Sequence, residues 1–131
     1  MKIRNITEER INFNNGMMIT YDHTQDCCET NYADFFQLEN LAFNIEFDEE
    51  LIFEKVDGVG FRFGSKGTPM FFVPCYSYQN GYYSEDVDIY FNGKHVVKVD
   101  GEWIDDHDHW VDDYQCMLRD LSRCLDVGKI K

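Results

Sequence analysis

Potential metal ligands and nucleophiles crowd into one short stretch near the start of the chain. His23, Asp26, Cys27, Cys28 and Glu29 bring an imidazole, two carboxylates and two adjacent thiols together. Imidazole, thiolate and carboxylate groups are the ligands that zinc and other divalent ions take in proteins. A thiol close to an imidazole is also the arrangement in which a base activates a nucleophilic cysteine.

Three interpretations of this stretch stay open on the residues alone. If the segment continues a strand, Cys27 and Cys28 point to opposite faces, so the two thiols cannot coordinate the same ion. A zinc site then needs a turn here and help from His107 or His109, because the chain has no separated C-x-x-C pair. The second interpretation is a nucleophilic cysteine with His23 as its base. The third is structural, with one thiol buried in the core and an acid capping a turn.

A second group of candidate ligands lies between Asp100 and Asp113, where seven acidic residues and two histidines occur. On a helix, His109 lies one turn from Asp113 and one turn from Asp105, and such pairs can chelate a divalent cation. The segment lacks the glycine and the closing glutamate of an EF-hand loop. A solvated helix start, favoured by the helix dipole, explains the same acids without any ion. His107, His109 and Asp113 are therefore further candidate metal ligands, and no particular cofactor is indicated.

A third candidate site follows the turn signal at residues 80–81. Extended backbone after this turn places one set of side chains on a face opposite Val87 and Ile89: Tyr82, Ser84, Asp86, Asp88 and Tyr90. An outward stripe that holds two tyrosines is typical of a surface that contacts a protein partner. The same stripe is equally consistent with burial beneath a helix or beneath residues 33–50.

Turn signals divide most of the chain into short apolar runs of period two. Asn-Gly or Asp-Gly pairs supply the positive φ that tight hairpins need, and they end at residues 16, 58, 81, 93 and 101. Alternating apolar residues between these turns predict half-buried antiparallel strands over 11–13, 17–21, 59–63, 87–91 and 95–99. Residues 70–73 are apolar on both faces, as in a central strand, and Pro74 either ends that strand or introduces a bulge. Residues 33–50 fit either a short helix or an irregular pair of strands.

The periodicity changes near the C-terminus. Large apolar residues recur there at intervals of three and four, which predicts an amphipathic helix near residues 106–125: Trp110, Tyr114, Met117, Leu118, Leu121 and Leu125. We therefore predict one α+β domain spanning residues 1–131. It consists of a mainly antiparallel sheet of about five to eight strands packed against this C-terminal helix.

Composition and charge narrow the classes of function. The hydrophobic fraction of 44% and the aromatic fraction of 16% are enough for a folded core. A formal charge of −13 leaves few cations for phosphate, so we expect neither nucleic acid nor an anionic membrane as a partner. Residues 1–10 lack the apolar core of an export signal, and the five cysteines are an odd number. We expect a cytoplasmic protein with free thiols.

Two uncommon strings in the sequence give a resemblance. The string Asp26-Cys27-Cys28-Glu29 and the later string Asn80-Gly81-Tyr82-Tyr83-Ser84 resemble a family of small bacterial and phage proteins. That family is known only as a domain of unknown function, and the resemblance covers roughly residues 15–92. It implies a single small domain and supplies no activity, cofactor or catalytic residue.

We predict a small acidic, non-enzymatic module that binds a protein partner, with an origin in a phage or mobile element. No complete catalytic constellation is visible in the sequence, and the strong acidity favours a basic partner. One version is an anionic decoy that imitates DNA, which requires carboxylates at phosphate-like spacing on one surface. The alternative is a metal-binding protein or metal-dependent enzyme that uses the Cys, His and Asp clusters.

Overall fold

Strands dominate the computed structural model of the protein, which describes residues 1–22, 30–79 and 84–105. They account for 56% of these residues. The strands are β1 Ile3–Ile6, β2 Arg10–Phe13, β3 Met18–Asp22, β4 Thr30–Ala33, β5 Ile52–Val56, β6 Gly60–Gly64, β7 Phe71–Gln79, β8 Asp86–Phe91, β9 Lys94–Asp100 and β10 Glu102–Asp105. Two short 3-10 turns, Phe35–Gln37 and Asn40–Asn44, lie between β4 and β5.

The ten strands form two sheets. The first sheet has the order β1-β2-β3-β8-β9, and its neighbouring strands are antiparallel. The second sheet has the order β10-β7-β6-β5, and β4 also pairs with β7. Strand β10 runs parallel to β7, whereas the other described pairs of the second sheet are antiparallel.

One hydrophobic core joins the two sheets. It contains inward side chains from both of them, such as Ile19 and Val87 of the first and Phe61 and Val73 of the second. Phe47, which lies outside the strands, is buried at the centre of an aromatic cluster. Its ring lies 6.1 Å from that of Phe13 in the first sheet, and 5.6 and 5.9 Å from those of Phe63 and Phe71 in the second. The rings therefore join the two sheets, since paired aromatic rings contribute beyond the area they bury.

The prediction of an α+β domain is wrong. The described residues form two mainly antiparallel sheets with ten strands, and they contain no α-helix. Two sheets can bury each other's apolar faces, so the core of the described region needs no covering helix. The helix predicted near residues 106–125 lies outside the described residues. Of residues 33–50, for which a short helix was one option, Ala33 ends β4 and the remainder contains only the two 3-10 turns as regular structure.

Three of the predicted hairpin turns are confirmed, because residues 14–16, 57–58 and 92–93 connect antiparallel neighbours. The signal at residues 80–81 lies outside the described residues. The expectation of a hairpin at Asp100-Gly101 is wrong, since the chain there passes from β9 of the first sheet to β10 of the second. A side chain on Gly101 would place its Cβ 2.7 Å from the carbonyl carbon of Tyr76. This glycine therefore allows a close approach between backbones.

Strand β7 is central, as its apolar sequence predicted, but it continues past Pro74 to Gln79. Pro74 lies opposite Gly60, at the point where the pairing of β7 with β6 ends and its pairing with β4 and β10 begins. The carbonyl of Pro74 accepts a hydrogen bond from the amide of Asp34 at 2.9 Å, and the amide of Cys75 donates to the carbonyl of Val59 at 2.9 Å. The ladder therefore continues on both sides of a residue that has no N–H of its own.

We predict that Gly60→Ala destabilises the protein far more than Gly58→Ala. Both glycines have positive φ, but a Cβ on Gly60 would collide with the carbonyl oxygen of Val73, whereas Gly58 faces open space. The expected losses in free energy of unfolding are about 1 kcal/mol for Gly58→Ala and at least about 3 kcal/mol for Gly60→Ala. Urea denaturation measures both values, and equal losses would contradict the close packing of β6 on β7.

Candidate functional site

Most of the candidate site residues predicted from the sequence lie outside the described part of the chain. These are His23, Asp26, Cys27, Cys28, Glu29, Tyr82, His107, His109 and Asp113. The described residues that flank them are informative, because they show where each of these segments joins the fold. Ser84, Asp86, Asp88 and Tyr90 are described directly.

The two segments that carry the candidate metal ligands join the fold at the same end of β7. Tyr78 pairs with Thr30 of β4 and with Ile104 of β10, so these two strands lie along opposite edges of β7. Neighbouring strands are about 4.8 Å apart, which puts the backbones of Thr30 and Ile104 about 10 Å from each other. Residues 23–29 directly precede Thr30, and residues 106–131 directly follow Asp105, which pairs with Gln79. We call this end, marked by Thr30, Gln79 and Asp105, the network end.

A buried polar network occupies the interior of the network end. Asn31, Ser77 and Gln79 are almost fully buried. The Asn31 amide nitrogen donates to the carbonyls of Ser84 at 2.8 Å and Asp86 at 3.1 Å, and its oxygen accepts from the Ser77 hydroxyl at 2.6 Å. The Gln79 amide nitrogen donates to Ser77 Oγ at 2.6 Å and to the Ser84 carbonyl at 3.0 Å.

This network holds the segment that precedes β8 of the first sheet against two strands of the second sheet. Ser77 and Gln79 occupy the inward positions that Phe71 and Val73 occupy earlier on β7. Buried amides and hydroxyls are costly unless they are hydrogen-bonded, and here they bond one another and the backbone. Ser84 also accepts a hydrogen bond from the Asp86 amide through its hydroxyl oxygen, at 3.1 Å.

Three of the four described residues of the predicted contact stripe face outward on the first sheet, whereas Ser84 precedes β8. Asp86, Asp88 and Tyr90 alternate along β8 with the buried Val87 and Ile89. This alternation follows the period of two that the sequence predicted for the strand.

Aspartates oppose each other across the strands of this outer face. Asp88 lies opposite Asp22, and Asp86 lies opposite Asp100. Like charges in such positions are unfavourable. The ammonium of Lys98 lies 3.7 Å from Asp86 and offsets part of this charge, and His95 Nε2 lies 3.0 Å from Asp88. This face therefore mixes both signs of charge, which weighs against the anionic decoy.

An aromatic surface that the sequence analysis missed lies on the outer side of the second sheet. Phe72, Tyr76 and Tyr78 alternate along β7 with inward residues, and Tyr32 lies opposite Tyr76 with the two rings 5.5 Å apart. Phe72 is 42% exposed and the three tyrosines are partly buried. We call Tyr32, Phe72, Tyr76 and Tyr78 the aromatic face. The alternation within residues 71–79 was the signal that could have revealed it.

Polar groups border the aromatic face. The Gln37 amide nitrogen donates to Asp34 Oδ2 at 2.8 Å and to the Tyr76 hydroxyl at 3.0 Å. Asp34 Oδ1 also accepts from the Phe36 amide at 3.2 Å. Burial raises the pKa of Tyr32, and the charge of Asp34 raises it further. The Tyr32 hydroxyl therefore stays protonated at neutral pH, and the negative charge beside the rings belongs to carboxylates.

Cys75 is not suited to chemistry. Its side chain is buried in the core, and burial raises the pKa of the thiol to about 12. A thiol of that pKa is protonated at neutral pH, so it is neither a ready nucleophile nor a ready metal ligand. Within residues 1–22, 30–79 and 84–105, no three His, Cys, Asp or Glu side chains gather in a way that could hold a metal ion.

An acidic cleft of about 600 Å³ lies away from the network end. It is lined by Met1, residues 46–50 and Lys66. The α-amino group of Met1 lies 2.6 Å from a carboxylate oxygen of Glu46. A hydrogen bond from this ammonium, together with its charge, lowers the pKa of Glu46.

The comparisons with known proteins supply no relative. No model of a known protein family matches the chain, and neither curated proteins nor solved structures give a match. No helix of the described region is long and apolar enough to cross a membrane.

We predict that Asn31→Leu lowers the free energy of unfolding by about 2–4 kcal/mol, because it leaves buried partners in the network without their hydrogen bonds. Asn12→Leu is the matched control. Like Asn31, Asn12 lies within a strand. Its amide nitrogen donates to Asn5 Oδ1 at 3.1 Å, but this hydrogen bond is exposed to solvent. We expect the control to cost less than about 1 kcal/mol. Equal losses in urea denaturation would mean that the network contributes no more than a surface contact.

Proposed function

We propose that this chain is a non-enzymatic module that binds a protein partner through the aromatic face. The observation that carries the proposal is the row of tyrosines and Phe72 on the outer side of the second sheet. Aromatic side chains are enriched at protein interfaces because they combine a large apolar surface with a polar end. The face lies on the central strand β7, and rigid strands hold contact residues more accurately than loops do.

The distribution of the described polar groups supports binding in preference to catalysis. Asn31, Ser77 and Gln79 are engaged with one another and with backbone carbonyls inside the fold. The thiol of Cys75 is buried and protonated. The strong negative charge of the chain favours a basic partner and disfavours nucleic acid and anionic membranes.

The odd number of cysteines, five, and the free buried thiol of Cys75 support a cytoplasmic location as part of this proposal. The two sequence strings at residues 26–29 and 80–84 support an origin in a phage or mobile element, through the family they resemble.

A matched pair of tyrosine variants tests the proposed binding surface. Tyr76→Ser removes a ring from the aromatic face, and Tyr90→Ser removes one from the outer face of the first sheet. We expect dodecapeptides selected from a random phage-displayed library on the wild-type protein to lose about tenfold or more in affinity for Tyr76→Ser. Their affinity for Tyr90→Ser should change by less than about twofold. If the two variants bind alike while both remain folded, the aromatic face is not the binding surface.

A second function, a metal-binding protein or metal-dependent enzyme, is supported by the pairing of Tyr78. Thr30 and Ile104 flank this residue, so the segments bearing His23, Cys27, Cys28 and His109 join the fold within a short distance. His and Cys side chains from two such segments can complete a zinc site that neither provides alone.

Elemental analysis of protein purified without chelator tests the metal site. Stoichiometric zinc or another transition metal that is lost in a Cys27→Ser/Cys28→Ser variant would support it. Cys75→Ser is the control, because this buried thiol should leave the metal content unchanged. A metal content below about one-tenth of an equivalent, in protein refolded with zinc, would rule out tight binding.

A further inference from the structure

We propose that the aromatic face takes an arginine-bearing segment of its partner, with the guanidinium stacked on the Tyr32–Tyr76 ring pair between the carboxylates of Asp34 and Glu102. This inference rests on the proposed function, and it names the chemistry that the surface selects. Four described side chains carry it, contributed by β4, β7, β10 and the residue that follows β4.

The two rings provide a stacking surface for a flat cation. Tyr32 and Tyr76 are cross-strand partners, with ring centroids 5.5 Å apart and ring planes inclined by 39°. The Gln37 amide donates to the Tyr76 hydroxyl and so holds one ring in place. A guanidinium over such rings gains from their quadrupoles, and it stacks as a planar group where an ammonium cannot.

Carboxylates lie on two sides of this ring pair. Tyr76 pairs with Tyr32 on one edge of β7 and with Glu102 on the other, so Glu102 lies across Tyr76 from Tyr32. Asp34 follows Tyr32 by two residues, and its carboxylate shares Gln37 with the Tyr76 hydroxyl. Arginine can stack on a ring and donate to carboxylates at the same time, because its five N–H donors lie in the plane of the group.

The face contains little positive charge of its own to compete for these acids. Among the outward positions of the described strands of the second sheet, the one basic residue is Arg62, opposite Phe72. Arg62 Nε donates to a carboxylate oxygen of Glu54 at 2.6 Å. The opposite charges of Arg62 and Glu54 cancel. Asp34 and Glu102 therefore give the remainder of the face a net negative charge. Charge complementarity therefore favours a cationic occupant.

Peptides selected on the wild-type protein and depleted on Tyr76→Ser provide the probe. The depletion step removes peptides that respond only to the overall charge of the protein, which this substitution leaves unchanged. We expect the remaining peptides to be enriched in arginine. Replacing the arginine of the best peptide by glutamine should lower its affinity by about tenfold or more, and replacing it by lysine should lower it by less.

Two double variants separate local from long-range electrostatics. Asp34→Asn/Glu102→Gln removes the carboxylates beside the rings, and the asparagine keeps an oxygen that can accept from the Phe36 amide. Glu49→Gln/Glu50→Gln removes the same charge from the acidic cleft and serves as the control. We expect the first variant to weaken the arginine peptide about tenfold and the control to weaken it by less than about twofold.

The outcomes distinguish this inference from the proposed function. If Asp34→Asn/Glu102→Gln and the control behave alike, or if the selected peptides depend on Tyr76 but contain no essential arginine, the arginine site is wrong and the binding face stands. If no selected peptide depends on Tyr76, the binding face and the arginine site both fail.

Discussion

The second sheet depends on strand β7, because this one strand pairs with three others. Its first half pairs with β6 and its second half with β4 and β10, while its inward side chains contribute Phe71, Val73 and Cys75 to the core. The outward side of the same strand carries Phe72, Tyr76 and Tyr78. The core and the proposed binding face are therefore two sides of one backbone. A shift of register by one residue would exchange them, so burial of the inward side fixes what the outward side presents.

The inward side of β7 also changes character along its length. Apolar side chains give way to Ser77 and Gln79, which join Asn31 in a buried polar network. Hydrophobic contacts are tolerant of small displacements, but a hydrogen-bonded network admits few arrangements. The network therefore gives a defined geometry to the end of the fold that adjoins the two segments with candidate metal ligands, even though it belongs to neither segment.

The sequence revealed local structure better than it revealed architecture. Alternation around Ile19, Phe61 and Val87 predicted strands correctly, because inward residues of a half-buried strand must be apolar. The signal at Gly101 was misread, since the same dipeptide serves a tight turn or a close approach of backbones. Strand order could not be predicted, because pairing between β3 and β8 depends on packing across distant parts of the chain. The aromatic face was missed because the apolar run before Pro74 obscured the alternation that continues beyond it.

The position of β8 beside β3 has a consequence for how the chain acquires its fold. The hairpins β2–β3, β5–β6 and β8–β9 each need only local contacts, whereas pairing of Asp22 with Asp88 closes a loop that contains the strands β4 to β7. Closing a long loop costs entropy before its contacts compensate for it, and such pairings slow folding. We therefore expect the three hairpins to form first and the pairing of β3 with β8 to form late. The seam between β3 and β8 lies among fully buried side chains such as Ile19 and Ile89, so we expect it to open only when the core as a whole unfolds.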